Sequence, residues 1–73
     1  MKEKSKEIFE LAKKLIHSNN LWQRRLAIVL LIELKKSGFN LEKIKKTLKN
    51  AENDKEYYVK KAIAWAKNEL NKF

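Results

Sequence analysis

The stretch Asn19-Asn20-Leu21-Trp22-Gln23-Arg24-Arg25-Leu26-Ala27-Ile28-Val29-Leu30-Leu31-Ile32-Glu33-Leu34-Lys35-Lys36-Ser37-Gly38 decides the fold. Its polar opening, Ser18 to Asn20, offers an N-cap, since a short side-chain oxygen can accept from the unpaired N–H groups of a first helical turn. From about Leu21 to Lys36, Leu26, Ala27, Val29, Leu30, Leu31, Ile32 and Leu34 make more than half the helical circumference apolar. A helix apolar nearly all round must be buried on several sides. Lys35 and Lys36 suit the negative end of its dipole, and Gly38 supplies the left-handed residue that ends many helices. The longest apolar run, Leu26 to Ile32, is far shorter than the ~20 residues that span a bilayer.

Working outward, the rest of the chain supplies three more helices. Ile8, Leu11, Ala12, Leu15 and Ile16 recur at helical spacing before it, with Ser5 as candidate cap. After it, Asn40 caps a shorter stretch with Leu41, Ile44, Leu48 and Ala51 as its stripe, while Lys43, Lys45, Lys46 and Lys49 cover the other sides. Asn53 and Asp54 are the candidate caps of a fourth stretch in which Val59, Ala62, Ile63, Ala66 and Leu70 face inward. Seventy-three residues with one Gly and no Pro leave little material for β-turns, and Lys, Leu, Glu, Ala and Ile favour helix. The expectation is one all-α domain over residues 1–73, built from four antiparallel helices.

Composition removes several function classes. With no Cys, disulfides and cysteine-bound zinc are impossible, and His17 is the only histidine, so neither metal nor cofactor is expected. The basic start (Lys2, Lys4, Lys6) is broken by Glu7 and Glu10 before any apolar stretch, so the chain reads as cytoplasmic, with no signal peptide and no membrane association. Met1 and the well-formed first helix lead to the expectation of a complete short protein. The formal charge of +9 produces a positive field, the electrostatic footprint of phosphate binding.

The two halves of the chain resemble each other. Trp22-Gln23-Arg24-Arg25-Leu26-Ala27-Ile28 lies over Tyr57-Tyr58-Val59-Lys60-Lys61-Ala62-Ile63 with an offset of about 35, so an aromatic, a basic pair and an Ala-Ile step recur. A helix-pair period in this range is the mark of an α-solenoid. Repeat 1 is expected over about 5–37 and repeat 2 over about 40–72. Two repeats are few for a closed core, which leaves a homo-oligomer or a piece of a longer array open.

The first block, Asn19 to Val29, resembles the "N-x-W-x-R-R-x-A-I" block of the DNA alkylation repair enzymes, the HEAT-like-repeat alkylpurine DNA glycosylases. The second, Asp54-Lys55-Glu56-Tyr57-Tyr58-Val59-Lys60-Lys61-Ala62-Ile63-Ala64-Trp65-Ala66, is similar to that family's "D-x-E-x-x-V-x-K-A-I-G-W" signature. The likeness covers about residues 8 to 69, corresponding to the C-terminal part of a full family member. It implies two HEAT-like helical hairpins forming a short solenoid, a concave face that holds duplex DNA, and relatives that excise alkylated purines. By the same resemblance, Arg25 is the position that contacts the DNA backbone beside a lesion, and Trp65 the one that stacks near it. The family's aspartate and further tryptophan on an upstream helix have no counterpart, since no aspartate precedes Asp54. Ala64 replaces a glycine, and Trp65-Ala66-Lys67-Asn68-Glu69 lacks the arginine of "W-x-x-R-E".

Residue spacing points the same way. Lys61 and Trp65 are one turn apart, and Arg25 occupies the equivalent turn of the second helix. A cation and an aromatic on one face suit a phosphate and a sugar or base. Arg24, Arg25, Lys60, Lys61 and Trp65 are therefore the candidate DNA-binding residues, reading backbone and shape without sequence preference. Each has an alternative: Arg25 a bond to Glu56 or to helix-end carbonyls, Trp65 packing between repeats, Trp22 packing at its helix start, and the lysines a solvated face. The expected function is duplex DNA binding without independent catalysis. The alternatives are a protein-interaction or self-assembling module, or part of an active glycosylase whose carboxylate comes from elsewhere.

Overall fold

The computed structural model describes residues 4–71, leaving Lys2 and the last residue of the expected second repeat outside it. The chain is all-α: α1 (Ser5–Leu15), α2 (Leu21–Lys36), α3 (Leu41–Lys49) and α4 (Tyr57–Leu70), with no strand among the described residues. The punctuation around α2 acts as its chemistry dictates. Asn20 Oδ1 accepts from the N–H groups of Trp22 at 2.8 Å and Gln23 at 3.4 Å. At the other end Gly38 takes φ +89°, and the Phe39 N–H returns to the Leu34 carbonyl at 3.0 Å. Asn40 likewise caps α3 by accepting from the Lys43 N–H at 3.2 Å.

Two expected caps differ. Ser5 is the first residue of α1, and the cap position falls to Lys4, which makes no side-chain cap bond. α4 begins after Glu56, and the upstream polar group at work is Asp54, whose Oδ1 accepts from the Glu56 N–H at 2.9 Å. Asn53 lies in the preceding turn.

α2 is the hub, packed closely on α1 and α4 and less extensively on α3. Its Ala27, Ile28, Leu31, Ile32 and Leu34 are buried, as its nearly all-round apolar character requires. They join Ile44, Leu48, Ala51, Val59, Ala62, Ile63 and Ala66 in one core. Of the expected α1 stripe, Ala12 and Ile16 are buried and Ile8 and Leu15 pack against the core, whereas Leu11 is 47% exposed and Phe9 is buried instead. The cause lies outside α1. Phe39, at the entry to α3, places its ring 5.0 Å from that of Phe9, so the helix turns its phenylalanine inward to meet it.

α2 and α4 run parallel. Trp22 near the start of α2 has its ring 5.1 Å from that of Tyr58 near the start of α4, and near the far end Lys35 Nζ donates to the Glu69 carbonyl. These pairs are 36 and 34 residues apart, so the two helices lie side by side almost in register. No helix of the described residues is long and apolar enough to cross a membrane.

Candidate nucleic-acid interface

The parallel register positions the cationic residues. Trp22 faces Tyr58, and one turn further along each helix come Arg25 and Lys61, at the same offset of 36. Both are exposed, and neither has an ion-pair partner among the described residues. Two neighbouring cations on parallel helices repel each other modestly in water, and a phosphate between them would remove that cost. Lys61 also lies over the Tyr57 ring, 5.4 Å from its centroid. Trp65, one turn beyond Lys61, is 38% exposed and keeps part of its ring open. An aromatic surface continues from this strip, since Trp22, Tyr57 and Tyr58 are all exposed and the two tyrosine rings sit 5.3 Å apart.

Arg24 has a different environment from Arg25. Its Nε donates to Asp54 Oδ2 at 2.6 Å, its Nη2 to Oδ1 at 3.4 Å, and its Nη1 to the Ser18 carbonyl at 2.8 Å. The two side chains are only 17% and 12% exposed. This fork ties the turn before α2 to the turn before α4. Burial pushes the Asp54 carboxyl up. The Glu56 N–H and the Arg24 guanidinium, with Lys60 nearby, outweigh that and hold it below the ordinary carboxylate value.

The five candidates therefore divide. Arg25, Lys61 and Trp65 form an exposed strip across α2 and α4. Lys60 is exposed and contributes to the field at Asp54. Arg24 spends its donors within the protein. Sequence reasoning missed the Arg24–Asp54 pair because its members stand 30 residues apart, and the one legible signal was that Asp54 is the only aspartate in the chain. Glu33, the one acid within the apolar run of α2, is exposed and sits 4.0 Å from Lys36. No three metal-ligating side chains converge among the described residues.

Comparison with known proteins adds one finding. A family model described as DNA alkylation repair enzyme matches residues 1–72. No curated protein and no solved structure matches the chain.

Proposed function

Because the chain belongs to the DNA alkylation repair enzyme family, we propose that it binds duplex DNA through the α2–α4 strip and does not cleave a glycosidic bond by itself. In this reading it is a cytoplasmic protein of one domain, with α1–α2 and α3–α4 as two HEAT-like hairpins. The in-register packing of α2 on α4 at offsets of 36 and 34 supports that repeat. The observation that carries the function is the parallel register of α2 and α4, which gives Arg25 and Lys61 matching positions on the two helices, both exposed and without an ion-pair partner among the described residues, with Trp65 one turn beyond Lys61. Arg25 and Lys61 contact phosphates, Trp65 lies against sugar or base, and Lys60 adds to the field. Arg24 acts as a positioning residue that fixes the start of α2 relative to α4.

The inactivity half of the proposal rests on carboxylate chemistry. Cleavage at an alkylated purine leaves positive charge on the sugar, and a carboxylate beside it stabilises that charge. The strip residues Arg25, Lys61 and Trp65 include no carboxylate, and the only aspartate of the chain is held by Arg24.

Fluorescence anisotropy with a labelled duplex tests the binding. Its affinity should be in the range of non-specific binders, roughly 10⁻⁴–10⁻⁶ M, and fall steeply with salt as phosphate contacts release counterions. Arg25→Ala and Lys61→Ala should each weaken binding alike for all sequences and lower the salt slope by about 1. Absence of binding at low salt would overturn the reading. Release of alkylated base from methylated duplex by the purified chain would overturn the inactivity.

A further inference from the structure

The α2–α4 strip accounts for only part of the charge. A second concentration lies between α1 and α3, where a groove of about 970 Å³ is lined by Lys6, Lys13, Lys14, Lys43, Lys46 and His17. Its floor is apolar, from Phe9, Ile16 and Phe39, with Thr47 among them. None of its lining belongs to α2 or α4, so it is a surface separate from the Arg25–Lys61 strip. Glu10 is the one acid on the lining, and it is matched by Lys13 at 3.3 Å. Lys6, Lys14, Lys43 and Lys46 have no ion-pair partner among the described residues.

A concave surface with low-dielectric walls focuses the field of like charges and concentrates counter-ions within it. The lysines come from two helices and stand along both banks, which suits an extended anion better than a single small one. Lysine is a flexible point charge, matched to the repeated phosphates of a nucleic-acid backbone and without the planar fork that selects a carboxylate. The +9 charge of the chain opposes a second copy as occupant.

We propose that the α1–α3 groove is a second site for the phosphate backbone of duplex DNA, so that one copy of the chain holds two duplex segments at once. The proposal adds a site to the function given above, and the two fail separately. Bridging requires both surfaces, whereas binding of one duplex requires only the α2–α4 strip.

The test uses two duplexes, one carrying a donor fluorophore and one an acceptor, mixed with the protein at low salt. The wild-type chain should produce energy transfer, which excess unlabelled duplex competes away. Lys43→Glu/Lys46→Glu alters two exposed side chains, and circular dichroism confirms that it folds. It should lose most of the transfer, roughly fivefold or more, as phosphate contacts become repulsions, while single-duplex affinity changes by less than about threefold. Transfer equal to wild type in this variant would overturn the proposal, because bridging would then come from paired copies. So would absence of transfer in the wild type under conditions where a single duplex binds. If Arg25→Ala/Lys61→Ala keeps full single-duplex affinity and Lys43→Glu/Lys46→Glu abolishes it, the groove is the one duplex site, and both the bridging and the function assigned to the α2–α4 strip fall.

Discussion

At the scale of single residues, neighbours in sequence have opposite tasks. Arg24 and Arg25 are the same residue type one position apart, yet a helix turns adjacent side chains by about 100°. Arg24 consequently points at the turn before α4, while Arg25 is exposed at the position of α2 that matches Lys61 on α4. The Arg24 fork on Asp54 is mostly withdrawn from water, so removing one partner leaves the other charge underused. Arg24→Ala and Asp54→Ala should each lower the unfolding free energy by about 1–3 kcal/mol, read from urea titrations. The double variant should lose less than the sum of the two, by roughly 1 kcal/mol. The pH dependence follows from the lowered Asp54 value. Above the ordinary carboxyl value of 3.8 the pair's contribution is complete, because folded and unfolded chains are both ionised there. As pH falls below that value the unfolded chain takes up its proton first, and the contribution is lost through the lower folded value. Asp54→Asn should therefore flatten the acid limb of the stability curve and leave its neutral-pH shape unchanged. An acid limb as steep as wild type would show that the pair does not set it.

At the scale of elements, what could be read in advance was whatever is local. The bounds of α2, its Asn20 cap and the Gly38 stop depend on residues within one turn of each end, and all three appear as the pattern requires. The same locality makes two measurable expectations. Asn20→Ala should cost about 1 kcal/mol, because two first-turn N–H groups lose their acceptor. Gly38→Ala should cost about 1–2 kcal/mol through backbone conformation alone, since a Cβ there meets nothing within 4 Å. What could not be read was set by contacts between elements. The burial of Phe9 in place of Leu11, at the edge of an otherwise expected stripe, goes with the ring of Phe39, some 30 residues on, and helical spacing on α1 admits either residue. Asp54 was legible as a polar residue before α4, but its partner Arg24 was not. Trp22 was expected to pack at its helix start. It does so against Tyr58 while staying 55% exposed, because the N-terminal ends of α2 and α4 meet at the surface. The strip itself was half legible: Lys61 and Trp65 share a helix face by spacing, whereas the place of Arg25 beside them needed the parallel register of α2 and α4.

At the scale of the whole molecule, charge opposes the fold. A 73-residue chain has a thin core, and its 18 basic residues outnumber its acidic ones two to one. Lysines line the α1–α3 groove, and cations stand side by side on α2 and α4, so compaction brings like charges together on both surfaces. Screening and ligand should then act in opposite directions with salt. For the free protein, raising salt from about 50 to 200 mM shortens the reach of these repulsions, so Tm should rise by a few degrees. With duplex DNA at about 100 times Kd, binding adds about 2.7 kcal/mol to the folded state. In a domain of this size that corresponds to roughly 10–20 °C in Tm. The same salt increase releases the DNA, so the bound curve should fall while the free curve rises, and the two should converge. Differential scanning fluorimetry across that salt range, with and without duplex, measures both. A free-protein Tm that falls with added salt would mean that the clustered lysines do not limit stability. A DNA-induced shift that persists at high salt would mean that phosphate contacts are not what holds the duplex.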